Sequence, residues 1–266
     1  MEYKEFNDLQ FGVFKNLAKY NNSITHFVTT RNGGVSSGSY KSLNLGMMQD
    51  DDTENVLKNR SKVASAVGLN PDDFVYPIQV HGTNIEIINK EDKGRGAFAL
   101  SDAFADTDGF ITNAPKICLI TMAADCVPII FFDPIKKAIG VAHAGWKGTA
   151  LKIPSALVEK MRNEYGTNPT DLIVGIGPSG GPCCYEVGQD VIEEVAKNFN
   201  VKKVIKNIDD KTIFDMWEAN TISLIESGVK PENIEISEVC TITQTDKFFS
   251  ARRGDGGRFA AGIFIQ

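Results

Sequence analysis

The chain contains many short apolar runs of strand length, and they follow one another without a regular alternation of strand and helix. Four segments show helical spacing instead: Thr53–Val67, Ala150–Tyr165, Gly188–Phe199 and Ile213–Ser227. Because strand follows strand, the pattern predicts an α+β fold in which sheet packs on sheet with helices outside. The nine strand-like runs are Ile24–Thr30, Phe74–Val80, Asn84–Ile88, Ile117–Met122, Val127–Phe132, Ala138–Ala142, Leu172–Ile176, Asn233–Val239 and Phe259–Ile265.

The composition is that of an ordinary soluble globular protein with material for a buried core. Of 266 residues, 42% are hydrophobic and 23% are charged, and no linker or repeat stands out, so we expect one domain over residues 1–266. The net charge of −6 argues against nucleic acid or an anionic membrane as the main partner. We expect a monomer or a weak homodimer.

The cysteine count and the absence of a targeting signal favour a reducing compartment. Five cysteines cannot all pair within one chain. The chain opens with mixed charge, and its longest apolar stretch, Cys118–Phe132, is interrupted by Asp125 and Pro128. We therefore expect a cytoplasmic protein with free or metal-bound thiols.

Two of the three histidines lie in turns of small residues, and together with one cysteine they suggest a metal site. His81 precedes Gly82, and His143 is followed by two small residues, Ala144 and Gly145. Trp146 comes next, and its large side chain could line a pocket. Two imidazoles and one thiolate, here that of Cys126, are the ligands of some catalytic zinc sites, in which a fourth position stays open. The candidates are 45 and 17 residues apart, which favours an open catalytic site over a structural one.

The same residues allow other interpretations. Cys126 is a nucleophile candidate with His81 or His143 as its base, which would make the protein a cysteine hydrolase. The ligand set also suits a single copper ion, although three histidines are too few for a multicopper oxidase. A structural metal in a non-enzymatic binding protein is a further alternative, as are a turn histidine and a buried cysteine with no metal at all. Asp125 and Asp108 are candidates for orienting a ligand or transferring a proton.

Two glycine-rich segments contain arginines and are candidates for binding an anion. Arg31 precedes a glycine pair, and Arg252 begins an arginine- and glycine-rich segment that ends at Arg258. Exposed backbone N–H groups and arginine forks suit phosphate, but, taken alone, the two segments are better explained as hairpin turns with solvated arginines. The adjacent Cys183 and Cys184 follow a loop rich in proline and glycine, and we interpret them as a buried structural pair rather than a redox centre.

Taken together and in this order, eight motifs resemble the bacterial purine nucleoside phosphorylases once labelled polyphenol oxidases or laccase-domain proteins. The match covers nearly the whole chain. The motifs are Thr30–Ser36, Leu43–Gly46, Gln79–Gly82, Asp108–Thr112, Ala124–Pro128, His143–Gly148, Gly177–Val187 and Phe248–Ser250.

The resemblance implies a four-layer α-β-β-α sandwich in which two packed mixed sheets are flanked by helices. It implies one zinc ion held by His81, Cys126 and His143, with copper as the alternative metal. It further implies phosphorolysis of adenosine, inosine and methylthioadenosine, with adenosine deamination as a side activity. Arg31, Asn44 and the Ser250 segment match positions of the family's pocket. Together with the residues considered above, this gives Asp108, Asp125 and Cys126 as candidate catalytic residues and Arg31, Asn44, Lys147, Ser250 and Arg252 as candidate substrate-binding residues.

Three residues depart from the family pattern. Ala123, Gly180 and Ala251 replace a threonine, an apolar residue and an aromatic residue that are common in the family. The predicted metal ligands are intact, so these changes affect the expected substrate preference more than the expected reaction class.

Overall fold

The computed structural model describes residues 1–266, which form fourteen strands and seven α-helices. The strands are β1 (Glu2–Phe6), β2 (Leu9–Val13), β3 (Ile24–Thr29), β4 (Phe74–Val75), β5 (Ile85–Ile87), β6 (Gly109–Thr112), β7 (Cys118–Ala123), β8 (Val127–Asp133), β9 (Ala138–Ala144), β10 (Ile173–Ile176), β11 (Ile205–Ile208), β12 (Lys211–Phe214), β13 (Ile234–Ile236) and β14 (Phe259–Ile265). The helices are α1 (Lys15–Ala18), α2 (Thr53–Ala66), α3 (Trp146–Ala150), α4 (Ile153–Tyr165), α5 (Gln189–Ala196), α6 (Val201–Val204) and α7 (Met216–Glu226).

Twelve of the strands form two six-stranded mixed sheets. Sheet I has the order β1-β2-β3-β14-β7-β4, and sheet II has the order β13-β10-β8-β9-β6-β5. The terminal strand β14 is an inner strand of sheet I, because it pairs antiparallel with β3 on one side and with β7 on the other. Strands β11 and β12 form a separate hairpin.

The apolar side chains lie in three layers, which explains why the central strands are apolar on both faces. In β8, Ile130 and Phe132 point into the core between the sheets, while Ile129 and Phe131 pack under α3–α7 on the outer face of sheet II. In β7, Leu119 faces the core between the sheets and Ile120 faces the layer that α2 covers. The molecule is therefore one α+β domain with the predicted α-β-β-α layers.

Local chemistry accounts for the start and the end of α2. The Asp52 carboxylate caps α2 by accepting from the Glu54 N–H, and Gly68 follows the helix with a positive φ of 76°. A cap of this kind stabilises a helix by about 1 kcal/mol. No helix is both long and apolar enough to cross a membrane.

Several predicted boundaries are wrong for local reasons. The predicted helix Ala150–Tyr165 spans the end of α3 and the whole of α4. Lys152, between them, has a left-handed φ of 58°, which interrupts the helical conformation. The predicted helix Ile213–Ser227 begins as strand β12, and Asp215 caps α7 by accepting from the Glu218 N–H.

The sequence prediction also misjudged strands. The run Phe74–Val80 is a strand only as far as Val75, and β9 continues through His143 to Ala144. Strands β1, β2, β6, β11 and β12 were not predicted. Strands β1 and β2 alternate weakly in polarity, and β6, β11 and β12 have only four residues each, so the local sequence pattern does not identify them as strands.

Candidate metal centre and cavity

His81, Cys126 and His143 meet where the chain crosses from sheet I to sheet II. Their ligand atoms all lie within 4.8 Å of one another, and the two imidazole ring centroids are 4.8 Å apart. Cys126 directly precedes β8, and His143 lies near the end of β9. Because β8 and β9 are antiparallel with Val127 opposite Ala144, residues distant in sequence become neighbours at one end of the hairpin.

The buried carboxylate of Asp108 holds two of the three candidate ligands in place. One oxygen lies 2.8 Å from His143 Nδ1 and accepts the His81 N–H at 3.0 Å, and the other accepts the Gly82 N–H at 2.6 Å. A bond to Nδ1 leaves His143 Nε2 to face the metal position. Burial raises the pKa of Asp108. The hydrogen bond and the charge interaction with His143 lower it, as do the hydrogen bonds donated by the Gly82 and Val80 N–H groups, and the pKa is lowered overall.

The ligand turns approach one another so closely that a glycine is needed beside them. A Cβ on Gly145 would lie 2.5 Å from the His81 ring and 3.1 Å from Cys126 Sγ. His81 and Asp125 have left-handed φ values of 63° and 80°, a conformation that costs a non-glycine residue roughly 1–2 kcal/mol. The hydrogen bonds that the Asp108 and Asp125 carboxylates accept offset the backbone strain at these two residues.

Without a metal, the site forms a charged thiolate–imidazolium pair. Burial raises the pKa of Cys126, but the charge of His143 and hydrogen bonds from both histidines outweigh it and bring the pKa to about 6. Burial lowers the pKa of His143, but the Cys126 thiolate and the Asp108 carboxylate raise it to about 9. A thiolate at neutral pH is ready to bind a cation and is also a nucleophile, so the electrostatics fit both the metal and the cysteine hypotheses.

The three candidate ligands line a cavity of about 350 Å³. Its volume is in the lower part of the range of small-molecule sites. We refer to the polar lining side chains as the polar wall and to the methionines, alanines and Trp146 as the apolar wall. The lining residues are Met48, Gln49, Gln79, His81, Met122, Ala123, Ala124, Asp125, Cys126, His143, Trp146, Tyr185, Ala251, Arg252 and Arg258.

The polar wall combines fixed positive charge with neutral donors. The Arg252 guanidinium lies 4.6 Å from the centroid of the Tyr185 ring. Burial, followed by the charge of Cys126, raises the pKa of Tyr185 to about 12, so its hydroxyl stays protonated as a hydrogen-bond donor. Arg258 uses one terminal nitrogen to donate to the Gly256 and Gly257 carbonyls. Arg252 and Arg258 thus line the same cavity as the three candidate metal ligands.

Asp125 fastens the arginine-bearing segment to the metal centre. Its carboxylate accepts from the Thr241 hydroxyl at 2.6 Å, the Ser250 hydroxyl at 3.0 Å and the Arg252 N–H at 2.8 Å. Its carbonyl accepts from the Gly180 N–H at 2.8 Å. The residue beside Cys126 therefore sets the position of Arg252, and its carboxylate is occupied by these three donors.

Of the five predicted substrate residues, only Arg252 lines the cavity. Asn44 is fully buried, and its amide is bonded to Gly46, Asp51 and the Arg258 N–H. Ser250 is fully buried behind the wall, and Lys147 is exposed outside the cavity lining. The structure does not bring these three side chains to the cavity surface.

Arg31 is also separated from the cavity. Its guanidinium forms a bidentate pair with Asp255 at 3.0 and 3.1 Å, donates to the Lys41 and Thr245 carbonyls, and stacks over Phe249. This arginine joins the segments near the two ends of the chain. The phosphate contact expected for it is not supported by this geometry.

Several lining residues were missed by sequence reasoning. Gln49, Gln79 and Tyr185 line the cavity, and none of them was a predicted site residue. Gln79 and Tyr185 lie in motifs singled out from the sequence, whereas Gln49 does not. Trp146 lines the cavity as predicted. A glutamine carries no chemical signal in a single sequence, so the position of Gln49 and Gln79 in the lining became visible only through the fold.

Replacing Asp108 by Asn tests whether the carboxylate orients the metal ligands. Asp108→Asn keeps the shape but removes the charge behind His143, so we expect metal affinity to fall about 10- to 100-fold, measured by competition with a chromophoric chelator. Asp133→Asn is the matched control, since Asp133 is equally buried and accepts the Ile135 and Lys136 N–H groups far from the ligands. Equal affinities in the two variants would contradict the role of Asp108.

Gly145→Ala tests the close approach of the ligand turns. The added methyl group displaces His81, and because metal–ligand distances tolerate only about 0.2 Å, we expect metal affinity to fall about tenfold or more. In Gly82→Ala the Cβ makes an ordinary 3.4 Å contact with Asp108, so this neighbouring variant serves as the control. Wild-type affinity in Gly145→Ala would show that His81 is not required at this position.

The rate of Cys126 alkylation should report the thiolate in metal-free protein. We expect the iodoacetamide rate at Cys126 to be full above pH 7 and to fall as the pH drops through about 6, since only the thiolate reacts. In His143→Gln the midpoint should move upward, because burial then outweighs the remaining stabilisation of the thiolate. A wild-type midpoint at the usual thiol pKa would rule out the ion pair, and bound metal should protect the thiol.

Comparison with known proteins agrees with the motifs and the fold. Residues 25–266 match a family model described as multi-copper polyphenol oxidoreductase laccase. A Bacteroides thetaiotaomicron protein named purine nucleoside phosphorylase is 35% identical over 258 residues, covering 95% of each chain. A protein named adenosine deaminase RL5, from an unknown prokaryotic organism, is 32% identical over 252 residues, covering 93% of this chain and 96% of its own.

A solved structure shows the same architecture. The crystal structure of YlmD from Geobacillus stearothermophilus has a TM-score of 0.92 at 32% identity and covers 100% of this chain and 98% of its own. The predicted family resemblance and fold class are therefore confirmed. By the extent of the family match and by this shared fold, the chain belongs to the multi-copper polyphenol oxidoreductase laccase family.

Proposed function

We propose that this protein is a zinc-dependent purine nucleoside phosphorylase with adenosine deaminase side activity. It would cleave adenosine, inosine and methylthioadenosine with phosphate, giving the base and a ribose or methylthioribose 1-phosphate. The observation that carries the proposal is the opening of the His81, Cys126 and His143 cluster onto a cavity that also contains Arg252 and Arg258. The names of the related proteins, one a phosphorylase and one a deaminase, support the same two reactions.

The donor set fits a metal of the proposed kind. Two imidazoles and one thiolate leave a coordination position, and the three side chains line the cavity rather than closing over it. When bound, zinc would act as a Lewis acid and would activate a water molecule, which is the chemistry that attack at C6 of adenine requires. We propose zinc in preference to copper, and metal analysis of the purified protein tests this choice.

In phosphorolysis the chain's own residues would hold the two substrates in line. The two cavity arginines would bind phosphate so that one oxygen faces C1′ of the nucleoside. Trp146, Met48 and Met122, which line the cavity, would contact the apolar faces of the purine. A C1′–O bond forms as the C1′–N9 bond breaks, the bonding electrons pass to the purine, and the base takes up the proton that hydrogen phosphate gives up.

We propose positioning roles for Asp108 and Asp125 in place of the proton transfer considered from sequence. Each carboxylate already accepts at least three hydrogen bonds. The pKa of Asp108 is lowered as well, so Asp108 is a poor proton carrier. Asp108 orients His143 and the His81 turn, while Asp125 orients Arg252. Cys126 is proposed as a metal ligand, with nucleophilic catalysis as the alternative.

The test separates phosphorolysis from deamination in one protein. In Arg252→Gln and Arg258→Gln we expect kcat/KM for phosphate with inosine to fall about 10- to 100-fold, since each variant loses a hydrogen bond to a charged group. Deamination of adenosine, which uses water, should change far less. Arg253→Gln is the matched control, because Arg253 donates to the Ile242 carbonyl and lies outside the cavity lining.

Metal removal and Cys126→Ser complete the test. Both should abolish the two activities, and zinc content should fall with them. Undiminished phosphorolysis in the metal-free protein would refute zinc dependence. Retained activity in the metal-free protein that is lost in Cys126→Ser would favour the cysteine nucleophile. No release of hypoxanthine from inosine with phosphate, in zinc-replete wild type, would overturn the phosphorylase proposal itself.

A further inference from the structure

Three of the five cysteines form a second cluster outside the cavity lining. The Cys183 and Cys184 sulfurs are 3.2 Å apart, the Cys184 and Cys240 sulfurs are 3.4 Å apart, and all three atoms lie within 4.8 Å of one another. Cys183 is exposed, Cys184 is half-buried and Cys240 is buried. The predicted buried structural pair of Cys183 and Cys184 is wrong, because Cys183 is exposed and Cys240, 56 residues further along the chain than Cys184, joins them.

The surrounding backbone builds this cluster and holds it in place. Ser179 and Cys240 pair as a parallel β-bridge, in which the Ser179 N–H donates to the Val239 carbonyl and the Thr241 N–H donates to Ser179. A Cβ on Gly181 would lie 2.9 Å from the Cys240 Cβ, so only glycine lets the loop approach this closely. The loop is thereby fixed against the strand segment that supplies the third thiol.

The chemistry of the cluster is that of a soft metal site. Its donors are three sulfurs, with no imidazole or carboxylate in the group. The Gly181 N–H donates to Cys240 Sγ at 3.3 Å, which stabilises that sulfur in its anionic form. Thiolates select Cu⁺ and Zn²⁺ among common cations, and structural zinc almost always takes four ligands. Three ligands without a fourth favour the monovalent ion.

We propose that Cys183, Cys184 and Cys240 form a second metal site, selective for Cu⁺, separate from the His81–Cys126–His143 centre. With metal–sulfur distances of about 2.3 Å, a trigonal ion would hold the sulfurs roughly 4 Å apart. The present separations therefore require side-chain shifts of less than about 1 Å. The ion enters from the surface at Cys183 and is held by Cys240 beneath it.

The loop that carries the site also carries a cavity residue. Tyr185 directly follows Cys184 and lines the cavity, and its N–H donates to the Gly181 carbonyl at 3.1 Å. A cation bound to Cys184 would therefore be held next in sequence to Tyr185, the residue on whose ring Arg252 stacks. Its binding does not depend on whether the protein cleaves nucleosides.

The experiment uses the full-length Cys126→Ser protein, reduced and freed of metal, so that the three-cysteine site is measured without the first centre. Cu⁺ is delivered anaerobically from a chromophoric Cu⁺ chelator of known affinity. We expect one Cu⁺ per chain and an X-ray absorption spectrum with about three sulfur neighbours and no nitrogen. In the same background, Cys183→Ser and Cys184→Ser should each weaken Cu⁺ binding at least tenfold.

Controls separate loss of a ligand from loss of the fold. Cys183 is exposed, so Cys183→Ser removes a donor without disturbing the core, and its circular dichroism should match that of the parent. Cys118→Ser removes an isolated buried thiol and should leave Cu⁺ affinity unchanged. Parent-like Cu⁺ affinity in Cys183→Ser or in Cys184→Ser, nitrogen neighbours in the spectrum, or tighter binding of Zn²⁺ than of Cu⁺ would each overturn the proposal.

Discussion

The candidate metal centre depends on one buried carboxylate. Asp108 binds the His143 ring and the backbone of the His81 turn at the same time, so two ligands from separate segments share one anchor. It also offsets the left-handed conformation of His81 by accepting that residue's N–H. Without this carboxylate, the positive charge on His143 would lose one of its two negative partners, and the imidazolium that stabilises the Cys126 thiolate would be weakened. A residue that supports the candidate ligands without being one of them, Asp108, thus contributes to the electrostatics of the site.

The two-sheet architecture brings this anchor to the right place. Strands β6, β9 and β8 are neighbours in sheet II, and Asp108, His143 and Cys126 lie at or next to their ends along one edge. The link from β7 to β8 carries the chain between the sheets and places Asp125 and Cys126 at the crossing. The apolar layers on both faces of these strands exclude water from the base of the site and hold the strand ends rigidly.

The arginines show how similar motifs separate into different roles. Arg31 and Arg252 both lie in glycine-rich segments, yet Arg31 is neutralised by Asp255 while Arg252 faces the cavity. The difference is the position of acidic partners: Asp255 pairs with the Arg31 side chain, whereas Asp125 binds only the Arg252 backbone N–H. Charge that is already paired inside the protein is not free to bind a substrate anion. The structure therefore concentrates the available positive charge on the Arg252 and Arg258 side of the metal centre.

The sequence by itself determined the fold class, the central strands and the three candidate metal ligands. Strand runs such as Val127–Phe132 are apolar on both faces, which only a buried sheet satisfies, and histidines are so scarce that two of them in small-residue turns attract notice. Only the tertiary structure decided which side chains surround the ligands. Hydrogen bonds between residues far apart in the chain bury Asn44 and Ser250, pair Arg31 with Asp255 and bring Cys240 to Cys184. Such contacts leave no local periodicity or spacing, because they form only when distant segments pack together.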